Sequence, residues 1–385
     1  MSVFNLGNAI MGSGILGLAY AMANTGILLF LFLLTVVAVL SCYSIHLLLK
    51  SSGIVGIRAY EQLGYRAFGT PGKMAAGIAI TLQNIGAMSS YLYIVKSEFP
   101  LVIQAFSRAD PTADLWYLNG NYLVVMVSIG VILPLALMKQ LGKLHLFSSP
   151  LTSLSVVYGN TGRLRAFPLQ TAYTIPILAF AFVCHPEVLP IYTELRKRMQ
   201  HVSNLSILVM YTMYFLAALF GYLTFYGKTE TELLHTYSRI DPYDTLILCV
   251  RLAVLTAVTL TVPIVLFPVR RALNQMFFAS KSFNWLRHVA IAVTLLSFIN
   301  MLVIFAPNIL GIFGVIGATS APCLIFIFPA IFYIRIVPKE QEPMHSIPKI
   351  LAACFAGLGV AFMIMSLSFI IIDWTTGSSN SGGGH

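Results

Sequence analysis

The chain has 385 residues, 58% of them hydrophobic and only 9% charged, with a mean hydropathy of +0.85. Soluble domains carry roughly 45–50% apolar and about 25% charged residues, so this chain cannot cover its surface in water; a soluble enzyme, a nucleic-acid binder and a disordered tail are excluded. The formal charge of +10, from 23 Lys and Arg against 13 Asp and Glu, then marks cytoplasmic loops of a polytopic membrane protein rather than a polyanion partner.

A helix needs about 20 apolar residues to cross about 30 Å of hydrocarbon. Runs of that kind occupy 2–23, 26–49, 74–97, 120–138, 171–192, 203–226, 244–269, 288–306, 310–334 and 350–372, about ten in all. Backbone groups in lipid must be satisfied internally, so these long runs are helices and not barrel strands. Met1 opens directly into apolar sequence, and no cleavable leader is expected.

Loop charges orient the spans. The 50–73 connection carries Lys50, Arg58, Arg66 and Lys73 against Glu61, whereas 96–119 carries Glu98, Asp110 and Asp114 against Lys96 and Arg108. Lys139, Lys143, Arg163 and Arg165 follow without an acid, then Arg196, Lys197 and Arg198 against Glu194. The 227–243 loop is acidic, with Glu230, Glu232 and Asp241; Arg270, Arg271, Lys281 and Arg287, then Arg335, Lys339 and Lys349, complete the map. Basic loops are cytoplasmic. The alternation fails once, because 139–165 and 193–202 both read cytoplasmic with only 171–192 between them. Either a loop is misplaced, 171–192 is re-entrant, or a span is missing near 144–170, a stretch whose serines and arginines are too polar for a spanning helix. All five cysteines fall within candidate spans, so the loops offer no disulfide framework. Asn204-Leu205-Ser206 starts a helix beside a basic cluster and is read as a chance glycosylation match.

Two stretches interrupt the apolar helices, and a third carries a polar cluster. In the first span, Asn5, Asn8 and Gly12-Ser13-Gly14 are poor helix formers. A discontinuous membrane helix offers free N–H groups to an anionic substrate group and freed carbonyls to a cation; close packing by small residues is the competing explanation. Asn8 and Ser13 beside the glycines favour a binding break. The second interruption, Cys184-His185-Pro186-Glu187 through Pro190, puts two prolines and two ionisable groups at or near membrane depth. No serine nucleophile, metal-ligand spacing or second carboxylate accompanies them, so no enzyme is expected. Third, Thr256, Thr259 and Thr261 precede Pro263, and hydroxyls with freed carbonyls suit a hard monovalent cation. The alternative is that each threonine bonds its own helix. Arg251 on the same helix is read as snorkelling from near its end. Gln83 and Asn84 fit either helix–helix contacts or a pathway lining. Two interrupted helices point to inverted repeats with a midplane site, hence to a cation-coupled secondary transporter of a substrate with an anionic group.

The stretches Ser2 to Gly17, Gln83 to Tyr91, Cys184 to Tyr192, Ala257 to Pro263 and Asp373-Trp374 strongly resemble the sodium-coupled neutral amino acid transporters of the amino acid/auxin permease group. Gly56 to Gly64 and Ile316 to Pro322 resemble the system N branch more than system A. The resemblance implies an all-α, LeuT-type five-plus-five inverted-repeat fold with eleven helices, about ten of them in this chain, a cytoplasmic N-terminus and an extracellular C-terminus. It implies sodium-driven uptake of L-glutamine, L-asparagine and L-histidine across the plasma membrane, with proton antiport and no cofactor beyond Na+ and H+. Asn8 and Thr259 match sodium-site positions, and Gly12, Ser13 and Gly14 match the break that meets the substrate carboxylate. His185, which titrates near neutrality when unperturbed, is a candidate proton-linked group, as is His385 in the tail.

The sequence departs from the family in a shorter N-terminus, in Gly7 where serine is usual, and after Gly142, where the fifth helix and the following extracellular loop are replaced. The expected organisation is therefore 1–143 as helices 1–4 of the first repeat and 144–170 as an atypical segment. Helices 6–10 of the second repeat occupy 171–334, and 335–385 holds the last helix and extracellular tail. The missing span supports a competing reading, a transport-inactive splice or gene-model variant. An amino acid sensor using the same site is a third.

Overall fold

The computed structural model describes residues 14–107, 116–138, 173–192, 199–225, 245–278, 284–305 and 309–380. Their regular structure is entirely helical: α1 (Gly14–Thr25), α2 (Ile27–Val55), α3 (Tyr60–Ser107), α4 (Gly120–Val127), α5 (Leu133–Ala136), α6 (Thr174–Ala181), α7 (His185–Tyr192), α8 (Met199–Phe225), α9 (Thr245–Phe277), α10 (Trp285–Phe305), α11 (Ile309–Pro322), α12 (Phe328–Ile336) and α13 (Ile347–Asn380). π-helical turns, Ser128–Ile132 and Cys323–Ile327, join α4 to α5 and α11 to α12.

Among the described residues, seven stretches are long and apolar enough to cross a bilayer: α2, α3, α8, α9, α10, the continuous α11–α12 segment and α13. The chain is an all-α multi-pass membrane protein. Three of the ten candidate runs have a different form. The 120–138 run is the shorter apolar helix Gly120–Ala136, 171–192 is split into α6 and α7, and 2–23 is described only from Gly14. The 144–170 segment lies outside the described residues.

The chain divides into two compact units, one comprising 1–83, 165–218 and 313–385, the other 84–164 and 219–312. In the first, α1 passes to α2 through Gly26 alone, at φ +77°, a conformation a Cβ would strain. The 50–73 connection, expected as a loop, leaves the helix only over 56–59. Gly69, at φ +66°, absorbs the rest as a kink inside α3. Tyr60 is buried against the rings of Phe328 and Phe332, and its hydroxyl donates to the Leu324 carbonyl at 3.0 Å. The Ser44 hydroxyl donates to the next carbonyl, Ile325. Both carbonyls lie in the π turn ahead of Pro329, which has no N–H to return to Ile325. Gln83 Oε1 accepts from the buried Ser320 hydroxyl at 2.9 Å, which makes Gln83 a helix–helix contact.

Close backbone approach also ties α6 to α11. A Cβ on Gly317 would stand 2.2 Å from the Pro176 carbonyl oxygen, and one on Gly314 would stand 2.7 Å from the Tyr173 ring. Beyond α12, the Lys349 ammonium is buried and donates to the Val337 carbonyl at 2.9 Å. Lys50 Nζ lies 2.6 Å from Glu342 Oε1, and the Tyr333 hydroxyl donates to Oε2 at 2.5 Å.

In the second unit, Asn119 caps α4 by accepting the Asn121 N–H at 3.0 Å. The Ser128 hydroxyl donates to Asn300 Oδ1 at 3.1 Å, and Asn300 Nδ2 donates to its own helix at Leu296. Two cations expected in loops are instead helix caps. Lys96 Nζ donates to the Val303 and Ile304 carbonyls at the end of α10, at 3.0 and 3.3 Å. Arg270, 4% exposed, donates from Nη1 to Ala136 O at 2.8 Å and lies 3.0 Å from His288 Nε2. Cations at helix C-termini satisfy orphan carbonyls and complement the helix dipole.

Two outcomes follow from this packing. Gly317→Ala forces a methyl into backbone and is expected to lower stability by about 1–3 kcal/mol. Gly357→Ala, with nothing within 4 Å of its Cβ, is expected to be neutral or stabilising; thermal unfolding in detergent separates the two. The Lys50 ammonium first, and the Tyr333 hydroxyl second, hold the Glu342 carboxyl below the ordinary glutamate range. A group whose pKa is depressed on folding stabilises above its unfolded value and loses that contribution as pH falls through the folded one. Glu342→Gln is therefore expected to cost at most ~1 kcal/mol at neutral pH, the pair being partly exposed. The difference between wild type and variant should vanish in acid, as read by melting temperature at both pH values.

Candidate substrate and ion site

The helix break between α6 and α7 is dictated by Pro186. In a continuous helix its ring would collide with the Phe182 carbonyl, and its nitrogen has no proton to donate there. The chain leaves the helix over Phe182, Val183 and Cys184 and restarts at His185, with Pro186 in the first turn where it is tolerated. The Phe182 and Val183 N–H groups fold back onto Leu178 O and Phe180 O at 3.2 and 3.4 Å. Ala181 O, which His185 N–H would have met in an unbroken helix, accepts instead from the Tyr214 hydroxyl at 3.0 Å. The Phe182 ring rests edge-on against Tyr214, with centroids 5.3 Å apart.

Opposite this break lies α1. A Cβ on Gly14 would stand 2.9 Å from Ala181 Cβ, and one on Gly17 would stand 3.4 Å from the Phe313 ring and 3.5 Å from Ile177. The absence of side chains thus lets α1 lie directly on the last turn of α6. Farther along α1, Ala21 O accepts from the Thr25 hydroxyl at 2.9 Å and the Thr174 hydroxyl at 3.4 Å. Gly14 is the member of Gly12-Ser13-Gly14 that falls within the described residues; Gly12, Ser13 and Asn8 lie outside them. His185 is fully buried at the start of α7, and among the described residues neither ring nitrogen has a hydrogen-bond partner. Such groups are uncommon in folded proteins.

The second unit holds the threonine cluster. Thr256 and Thr261 donate to the carbonyls four residues back, Leu252 and Ala257, both at 2.7 Å. The helix-bonded alternative thus describes both. Thr259, half-buried, makes no such bond among the described residues. Its carbonyl also stands four residues before Pro263, which has no N–H for it. One residue therefore combines a hydroxyl with no hydrogen bond among the described residues and a carbonyl without its ordinary helix donor, both oxygens of the kind a hard cation takes.

The same unit contains a pair that the sequence reading missed. Arg251 does not snorkel: its side chain is 2% exposed, and its Nε lies 3.4 Å from Oε2 of Glu98, itself fully buried. In sequence Glu98 has the setting of an acidic loop, with Lys96, Arg108, Asp110 and Asp114 around it. The sign to the contrary was local, since apolar residues resume directly after Pro100 and α3 runs on to Ser107.

Residues 1–372 match the family model described as Transmembrane amino acid transporter protein. The chain belongs to that family. Its role is accordingly amino acid transport rather than catalysis, and the seven long apolar helices make this transporter a multi-pass membrane protein. Because the match covers nearly the whole chain, both the α6–α7 break and the α9 threonines fall inside it. Cys184 of this transporter lies in the break itself rather than within a helix.

Tyr214→Phe tests how the break is held. Removing the hydroxyl orphans the buried Ala181 carbonyl, at an expected cost of about 1–3 kcal/mol. Melting temperature measures the loss, and a variant as stable as wild type would show that the break is held by packing alone.

Proposed function

We propose that the chain is a sodium-coupled transporter of neutral amino acids, taking L-glutamine, L-asparagine and L-histidine across the plasma membrane in exchange for a proton. The single observation that carries the reading is Thr259. In a helix whose other two cluster threonines are self-bonded, its hydroxyl has no hydrogen bond among the described residues and its carbonyl lacks the ordinary helix donor, which suits a weakly held monovalent cation. Asn8, by its match to the family's sodium-site pattern, is a further sodium-linked position in this reading.

The substrate carboxylate belongs at Gly12-Ser13-Gly14, where backbone N–H groups at the start of a half-helix offer hydrogen bonds and a favourable dipole. The close seat of Gly14 on the α6–α7 break supports a site with one wall from each interrupted segment. His185 joins that reading as a buried imidazole one residue beyond the break. The LeuT-type five-plus-five repeat is part of the same proposal.

Purified protein in liposomes tests it. Labelled glutamine should accumulate only with an inward sodium gradient. Thr259→Ala and Asn8→Ala should each weaken apparent sodium affinity by about tenfold, the equivalent of one lost polar ligand at ~1.4 kcal/mol. Uptake indifferent to sodium would sink the coupling, and saturable binding without flux would identify a sensor instead.

A further inference from the structure

Outside the proposed substrate and sodium positions, the least expected feature of the membrane-spanning helices is the Glu98–Arg251 pair. Ionisable side chains in spanning helices are rare and commonly mark ion pathways and proton relays. This pair is also incompletely satisfied. Nε of Arg251 approaches one carboxylate oxygen at 3.4 Å, too long and too poorly aligned for a hydrogen bond. Glu98 Oε1 and Oε2 and Arg251 Nε and Nη2 are all buried without a hydrogen-bond partner among the described residues. A pair built only to fasten α3 to α9 would be expected to close these bonds, since the desolvation of two charges is recovered only with good geometry.

Among the described residues, the charged groups of the neighbouring helices have partners of their own. Arg251 is the charged group that acts on Glu98. Lys96, two residues earlier on α3, is turned to the α10 carbonyls of Val303 and Ile304. On α10, His288 is engaged by Arg270, and Arg287 lies over the Phe278 ring. From α4, which packs on α3 where Gly120 meets the Lys96 carbonyl, the titratable side chain is Tyr122, 63% exposed and so directed elsewhere. Arg270 on α9 is held by Ala136 O and His288.

We propose that Glu98, held opposite Arg251, is the residue that carries the counter-transported proton. This rests on the exchange reading above and assigns a site within it. Both partners are closed to solvent, which excludes a hydrated cation or an amino acid from the space between them. Glu98 has two tolerable states, a carboxylate facing a permanent guanidinium and a neutral carboxylic acid. A proton adds to a Glu98 oxygen on one side and leaves from it on the other, with no other bond changed. His185 is a poorer carrier, because a protonated imidazole there would have no counter-charge among the described residues.

The test uses the full chain in liposomes with a pH-sensitive dye inside. Wild type should show sodium-dependent glutamine uptake accompanied by proton movement and altered by external pH. Glu98→Gln should lose the proton movement and the pH dependence while retaining sodium-dependent glutamine counterflow; Glu98→Asp should retain both in reduced form. Proton movement in Glu98→Gln equal to wild type overturns the assignment, as does its loss in His185→Gln with Glu98→Gln unaffected. If Glu98→Gln does not fold, the neutral pair Glu98→Gln with Arg251→Met takes its place, and proton-coupled uptake by that variant is equally fatal. Wild type that takes up glutamine with sodium but moves no proton overturns the proton assignment alone. Wild type that takes up no glutamine overturns the transport reading and this inference together.

Discussion

A carbonyl released from a helix inside a bilayer has no water to turn to, so each interruption of a spanning helix obliges some other part of the chain to supply a donor. This requirement accounts for a large share of the interhelical polar contacts. Tyr214 answers Ala181 at the α6–α7 break. Tyr60 and Ser44 answer Leu324 and Ile325 in the π turn before Pro329. Where helices end, cations answer: Lys96 at α10, Arg270 at α5 and Lys349 just past α12. The donors come from elements remote in sequence, so the breaks and the tertiary structure of each unit specify one another.

Against that background, the groups left unanswered stand apart. Among the described residues several serine hydroxyls are buried without a partner, but the ionisable groups so left are the two ring nitrogens of His185 and four polar atoms of Glu98 and Arg251. Half-buried Thr259 has no hydrogen bond to its own helix. Ionisable groups are the costliest of these to bury without a partner. Stability is ordinarily lost by such omissions, and function is the usual compensation. The contrast within α9 is the sharpest, because three threonines of like chemistry within six positions divide into two that bond their own helix and one that does not.

What was legible in the sequence follows from the range of the interactions involved. The membrane class, the α6–α7 break and the α9 cluster are written locally, in apolar run length, in Pro186 and Pro190, and in threonines ahead of Pro263. Long-range pairing was not legible. Gln83 was ambiguous until Ser320 stood opposite it. Glu98 and Arg251, far apart in sequence, each carry an innocent local explanation as a loop acid and a snorkelling arginine. The 50–73 connection misled in the opposite sense: its basic residues and glycines suggested a long loop, but one kinked glycine at φ +66° lets α3 run through most of it. The segment carrying Asn8, Gly12 and Ser13, and the region where the charge alternation failed, lie outside the described residues.

The buried cations also bear on the charge map with which the sequence is oriented. The positive-inside rule counts lysines and arginines that stay near the aqueous phase, and three of those counted cap helix ends, Arg270 and Lys349 buried and Lys96 partly so. Removing Lys96 and Glu98 from the 96–119 connection leaves Arg108 against Asp110 and Asp114, still acidic. Removing Arg270 from the next basic connection leaves Arg271, Lys281 and Arg287, still basic. Without Lys349 the last connection keeps Arg335 and Lys339, and its acids Glu340 and Glu342 count for little under the rule; Glu342 is moreover engaged by Lys50. The alternation of sign in these connections therefore survives when the structural cations are set aside. An orientation signal independent of the caps is what a chain needs if its topology is fixed at insertion, before α3, α9 and α10 have met.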